Sequence, residues 1–512
     1  MDIFGFRDGV IGDYRAFVEG FLEIRDARLR EHVRQTLSSG ALWPDPLLQL
    51  NPSFELGRSI DQMVTDAELE PLCKDIFRKD KDKVPGGKPM SLFWHQEQAV
   101  LRAKTGKPYV LTTGTGSGKS LSYILPIVNH VLAQGTGKGV RAVIVYPLNA
   151  LANSQEKELK GYLQTGFGEG RQPVSFARYT GDLGEAERRA LHDHPPDIIL
   201  TNYVMLEYIL TRPEDRPLVE AMKSLRFLVL DELHTYRGRQ GADVALLVRR
   251  LRDAAGVPGL QVVGTSATMA DGGTSEDRRR RVAEVAGNLF GAPLDAEGVI
   301  GERLRPSLDP LPAEFGPALA RRIREGSDPA TIVDLRADLL ARWLEDRAGL
   351  EREEGTGLLL RARPRSIDGP DGLGALLALE TGLPAGDCSG AIRKLLRAAA
   401  EVAAAHPGER LPLAFRLHQF ISKGDHLYAT LEDPQKRDIT LQYQTRAPRR
   451  DDNALLLPLA FCRCCGQDYV VAGREAVPGK ADRHQLVRRD LRDLSDDNDR
   501  EPGYLVLGEV AA

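Results

Sequence analysis

The stretch "TTGTGSGKS" at residues 112–120 constrains the fold of this chain more than any other. It follows the apolar run "PYVLTT" and precedes "SLSYILPIVNHVL", whose apolar residues recur at helical spacing. A strand that turns through glycines into a helix points backbone N–H groups inward at the helix's positive end, which makes a cradle for phosphate oxygens. Within Thr113-Gly114-Thr115-Gly116-Ser117-Gly118-Lys119-Ser120, Lys119 would reach the β- and γ-phosphates of a nucleoside triphosphate and Ser120 would hold Mg²⁺. The general pattern begins with glycine, and Thr113 departs from it.

The surroundings fit such a loop. Residues 91–270 alternate helical stretches with the short runs "PYVLTT", "AVIVYP", "DIILTN", "FLVLDE" and "QVVGTSAT". Apolar strands without polar alternation belong to a parallel sheet covered on both faces, so this region reads as one doubly wound α/β domain. In "RFLVLDELHTY" an apolar strand ends in Asp231-Glu232. Asp231 would bind Mg²⁺ through water, and Glu232 would position or deprotonate the attacking water. An Asp-Glu pair can also simply cap a helix, but downstream of a phosphate loop the catalytic reading prevails. His234 then stands where nucleotide state would be coupled to the next element, Ser266-Ala267-Thr268.

This ordered set resembles the superfamily two DEAD/DEAH-box helicases. The resemblance implies a RecA-like ATP-binding lobe with a parallel sheet. "FWHQEQAV" is similar to the family's adenine-reading segment, with Gln96 at the base edge. "YPLNALANSQ", "YTGD" and "TNYVMLEY" look like the loops that hold a sugar-phosphate backbone. By resemblance, Pro147, Asn149, Gln155, Thr201 and Asn202 would contact nucleic acid. "DELHTYRGRQGADVALLVRRLR" and "PLAFCRCCGQDYVV" narrow the likeness to large bacterial repair- and phage-defence-type helicases with a Cys-rich C-terminal domain. That kinship implies ATP and Mg²⁺ as cofactors and DNA rather than RNA as partner.

The rest of the chain reads as a helical N-terminal accessory region (1–90), a lobe over 91–305, a helical insert (306–410), a small β-rich Cys-containing element (411–480) and a flexible charged tail (481–512). Arg278–Arg281 reads as a solvated helix start rather than a basic patch. Cys462-x-x-Cys465-Gly466 has zinc-knuckle spacing, but two ligands fall short of the four a structural site needs; a cluster of reduced thiols is the competing reading. Five cysteines make no disulfide framework, and no apolar stretch is long enough to span a membrane, so the expected compartment is the cytoplasm. Net charge of −4 from 69 basic and 73 acidic residues neither proposes nor excludes nucleic acid.

No Gln-x-x-Gly-Arg-x-Gly-Arg-like segment follows a strand in residues 271–512. The arginines of a second lobe are therefore expected from another chain or from a missing C-terminal part. The leading reading is the ATP- and nucleic-acid-binding lobe of a DNA helicase or translocase. The alternative is a nucleotide-dependent scaffold, or a truncated product, that turns nothing over alone. A different phosphate-loop ATPase or kinase would leave Ser266-Ala267-Thr268 and the adenine-reading segment unexplained.

Overall fold

The computed structural model describes residues 2–20, 23–114, 116–168, 170–267, 273–326, 328–406, 412–422, 426–433, 435–448, 454–477, 483–489 and 500–506. Seven parallel strands form the sheet that carries the phosphate loop: β1 (Tyr109–Thr112), β2 (Ala142–Tyr146), β3 (Phe176–Arg178), β4 (Ile198–Asn202), β5 (Phe227–Leu230), β6 (Gln261–Ser266) and β7 (Val299–Gly301). Their spatial order is β7-β1-β6-β5-β2-β4-β3. Register places Thr112 beside Ser266 on one side and Gly301 on the other, so these three strand ends lie level.

Burial follows from composition. "VVGTS" and "FLVL" are buried at every position because helices cover both faces. One face packs against α1 (Trp94–Lys104), α2 (Leu121–Gln134) and α3 (Asn149–Leu163) through Val100, Ile124, Val128 and Leu159. The other packs against α4 (Tyr203–Thr211), α5 (Gly238–Ala255) and α6 (Ser275–Phe290) through Leu206, Val248 and Phe290. Caps fix the helix boundaries: Asn202 starts α4, and Thr274 with Asp277 forms a capping box on α6.

The chain divides into two compact units that cut across the linear boundaries read from sequence. One consists of Ser53–Arg305 with Arg352–Leu360; the other of Met1–Pro52, Pro306–Glu351 and Arg361–Ala512. The first 90 residues are thus not one helical accessory region. Residues 53–54 pair with Leu304–Arg305, and Leu56–Ser59 with Ser91–Phe93, inside the nucleotide-binding unit. Helices Ile3–Gly20 and Ala27–Ser38 belong to the other unit, where Leu29, Val33 and Leu37 pack with Leu427, Leu457 and Val470 of a six-stranded antiparallel sheet.

The charged tail differs from expectation too. Its described parts form strands His484–Arg488 and Arg500–Leu505, both paired to Asp468–Ala476. Charge alone misled, because alternating polar residues suit an exposed sheet face as well as a flexible tail. Arg437 ties this unit together: almost fully buried, it bonds Asp468 at 2.9 Å and Asp26 at 3.1 Å. Asp26 also caps Ala27–Ser38 by accepting the Leu29 N–H.

Gly264 of β6 shows how tightly the sheet is covered. A Cβ there would lie 2.3 Å from Leu233 Cδ1 and 3.0 Å from Phe290 Cζ. Gly264→Ala is expected to cost about 1–3 kcal/mol by overpacking, read as a lowered urea midpoint with unchanged slope.

Candidate functional site

All the sequence-derived nucleotide residues within the described structure converge on the C-terminal edge of the sheet, where doubly wound proteins bind ligands. The phosphate loop leaves β1 with Thr113 and Ser117 fully buried, their hydroxyls 2.6 Å apart. That bond explains how threonine serves at a position where the general pattern has glycine: it staples the loop across four residues. Thr115 lies outside the described residues. Gly118 has φ +67°, which favours glycine, and a Cβ there would push Gln96 Nε2, 2.7 Å away, off the loop.

Gln96 occupies the third position of α1. Its Oε1 accepts the Phe93 N–H at 2.8 Å, and its Nε2 donates to the Gly118 carbonyl at 2.9 Å. Gln96 therefore fixes the phosphate loop to α1. His95, which sequence reading missed, does the same one residue earlier, with Nε2 2.9 Å from the Ser117 carbonyl. It is fully buried between the rings of Phe54 and Phe93, and burial holds it below the usual histidine value. The neutral ring donates through Nε2–H.

Lys119 reaches toward the end of β5, its Nζ 3.7 Å from Glu232 Oε1. Lys119 Nζ and Glu232 Oε2 are both buried without a hydrogen-bond partner. Glu232 has left-handed backbone, φ +53° and ψ +54°, a strained state for a non-glycine residue. Asp231 is held by the Thr265 hydroxyl, which also accepts the Glu232 N–H at 3.1 Å. Burial raises the Asp231 carboxyl above its ordinary value, and the Thr265 bond opposes that shift. Thr265 was not singled out from sequence, although it directly precedes Ser266-Ala267-Thr268. His234 Nδ1 stands 3.2 Å from Glu232 Oε2 and 3.4 Å from Ser266 Oγ, linking the carboxylates to β6. Ala267 is half-buried just beyond β6, and Thr268 lies outside the described residues.

Burial raises the Glu158 carboxyl on α3 above its usual range, and the nearby Gln155 and Ser120 oppose that shift. Gln155 is half-buried on α3, its side-chain oxygen buried without a hydrogen-bond partner. Thr201 points inward: fully buried, its hydroxyl donates to the Tyr179 carbonyl at 2.7 Å. Asn149 and Asn202 join across the rim at 2.7 Å, beside half-buried Pro147. α3 begins without a side-chain cap, although its Leu151 N–H is taken by the Leu148 carbonyl at 3.1 Å.

Cys462 and Cys465 occupy the turn into strand Asp468–Ala476. The Cys462 thiol is lowered by N–H groups of Cys464 and Cys465. His418, a nearby histidine that could have served as a ligand, bonds Gln49 at 2.8 Å. Among the described residues no group of three or more His, Cys, Asp or Glu is placed to hold a metal ion. Nor is any described helix long and apolar enough to cross a membrane.

A parallel sheet with a lysine-bearing phosphate loop and an Asp-Glu strand end defines a phosphate-loop NTPase lobe. Residues 94–274 match the model of the DEAD/DEAH box helicase family, and the chain carries that domain. It is 32% identical over 208 residues to the uncharacterized ATP-dependent helicase YprA of Bacillus subtilis, covering 40% of this chain and 27% of that one. Over 389 residues it is 23% identical to the Druantia protein DruE of Escherichia coli, covering 53% and 21%. A crystal structure of the DUF1998 helicase MrfA bound to DNA is similar at 25% identity and TM-score 0.38, over 51% of this chain and 32% of that one. The chain thus spans only 27% and 21% of those two curated relatives.

Burial of neutral histidines sets an acid limit on this unit. His95 lies below 6.5, and His130 is lowered to about 4, by burial first and then by Arg226 and Arg141. The unfolded chain takes up protons that the folded one refuses, so stability is held above pH 6.5 and lost as pH falls toward the folded values. Calorimetry from pH 7.5 to 5.0 is expected to show a falling Tm, with a shallower fall in His130→Gln.

Proposed function

We propose that this chain supplies the ATP-binding and strand-gripping lobe of an ATP-dependent DNA helicase or translocase. The observation that carries the reading is the pair of buried polar atoms, Lys119 Nζ and Glu232 Oε2, left without hydrogen bonds at the end of a phosphate loop. The two charges attract each other at 3.7 Å, and His234 stands 3.2 Å from Glu232 Oε2, yet neither atom completes a hydrogen bond. The triphosphate and attacking water of ATP would satisfy both atoms. The donor set fits Mg²⁺ as well, with the Ser120 hydroxyl and the Asp231 carboxylate as its holders. When bound, Mg²⁺ neutralises charge on the phosphate oxygens.

In this reading Lys119 binds the β- and γ-phosphates, and Glu232 orients the attacking water and takes its proton. The bent backbone at Glu232 aims the carboxylate off the strand axis and toward Lys119. Thr265 and Ser266, touching Asp231 and His234 respectively, report the state of the site to β6. Strand grip falls to the Asn149–Asn202 pair, Pro147 and the uncapped start of α3, which offer sequence-independent contacts to phosphate and sugar. Thr201 and Gln155 support those loops from inside. DNA, rather than RNA, is proposed on kinship to repair- and defence-type helicases, with the cytoplasm as compartment. Arginines from a second lobe, on another chain or farther along a longer polypeptide, would complete the ATP site; their loss typically costs 10³- to 10⁵-fold in turnover.

The test is steady-state ATP hydrolysis with and without single-stranded DNA, beside Lys119→Ala and Glu232→Gln. ATP binding with little turnover, lost in Lys119→Ala, is expected of the chain alone. With a second lobe supplied, Glu232→Gln should retain binding and lose roughly 10²- to 10⁴-fold in rate. Nucleotide binding undiminished in Lys119→Ala would refute the site. DNA-stimulated turnover by the chain alone would refute the need for a second lobe.

A further inference from the structure

Glu302 follows β7 directly, and Gly301 is paired to Thr112 at the start of the phosphate loop. That register delivers the Glu302 carboxylate to the loop, where Oε2 accepts the Gly114 N–H at 2.9 Å, across 188 residues of sequence. The next residue reaches the start of α1. The Arg303 guanidinium lies 3.8 Å over the ring of Trp94, two residues before Gln96. Its carbonyl accepts the Glu55 N–H at 2.9 Å, and the Glu55 carbonyl accepts the Trp94 N–H at 2.9 Å. Residues 302–303 are thereby stapled to the helix start that carries His95 and Gln96.

The loop's polar groups divide by chemistry. Donors His95 and Gln96 take its outward carbonyls at Ser117 and Gly118, while the acceptor Glu302 takes an outward N–H at Gly114. In the phosphate-loop reading, N–H groups of the described loop that take no such partner are the ones a phosphate would use. Glu302 is nonetheless an odd choice of acceptor, because its negative charge sits beside a loop built for a polyanion. A neutral amide would hold the same N–H without that repulsion.

We propose that Glu302 is a positioning residue of the nucleotide site, holding the Gly114 end of the phosphate loop by its hydrogen bond while its charge weakens retention of bound nucleotide. The proposal rests on the nucleotide-site reading above. Its two parts separate in two variants. Glu302→Gln keeps an acceptor oxygen and removes the charge; Glu302→Ala removes both.

Two measurements test it. The first is hydrogen–deuterium exchange of the peptide covering residues 109–123, without nucleotide. Glu302→Ala is expected to speed exchange there about tenfold, the equivalent of one lost hydrogen bond, and Glu302→Gln to leave it near wild type. Equal exchange in all three proteins, each folded by its Tm, would overturn the positioning role whether or not the chain binds nucleotide. The second is calorimetric titration with ADP. Glu302→Gln should bind roughly threefold more tightly as the repulsion is relieved, and Glu302→Ala more weakly than wild type. Tightening in both variants would leave only the charge effect and overturn positioning; unchanged or weaker binding in Glu302→Gln would overturn the charge effect. A wild type that binds no ADP would instead sink the nucleotide-site reading, leaving the exchange result to decide positioning.

Discussion

Parallel register is the constraint on which the site depends. Seven strands that run one way end on one edge, and the order β7-β1-β6-β5 sets four chemically distinct termini side by side. The loop leaves β1, Asp231-Glu232 leave β5, and β6 between them supplies Thr265, whose hydroxyl touches Asp231 and receives the Glu232 N–H. A slip of one residue in β6 would turn Thr265 to the opposite face and break that link. Packing defends the register, since Gly264 has no room even for a methyl group between Leu233 and Phe290.

Held this way, the site stores charge and strain in place. Lys119 and Glu232 face each other at a distance too long for a hydrogen bond and too short for indifference, 3.7 Å. The left-handed backbone at Glu232 persists because the Thr265 bond and the buried Leu233 over-determine it. The same economy governs the loop, where His95 and Gln96 from α1 each hold one of its carbonyls.

Residues that follow one another in a strand–loop–helix were legible in the sequence. Lys119, Asp231, Glu232 and His234 could be read because apolar strands flank short polar turns, and local pattern suffices to place them. His95 and Thr265 sit beside recognised residues, yet a histidine following two aromatic residues and a threonine one short of a strand's end carry no signal of their own. Glu302 was out of reach, since its partner lies 188 positions away and only sheet register brings them together. Thr201 was assigned to the strand-gripping surface by resemblance, but side-chain direction is settled by packing, which turned it inward to the Tyr179 carbonyl. The unit boundaries failed for a related reason: composition changes along the chain, whereas Leu29 and Leu457 share a core through space.

That shared core has a consequence for synthesis on the ribosome. Helix Ala27–Ser38 is made first, but Arg437, the partner of Asp26, follows 411 residues later. At about 5–20 residues per second, Leu29, Val33 and Leu37 wait on the order of twenty seconds to more than a minute for their sheet. The phosphate-loop unit between them can finish folding in that interval. The newborn chain therefore carries a helix with an uncovered apolar face beyond a completed domain, an opening for a chaperone and a hazard without one.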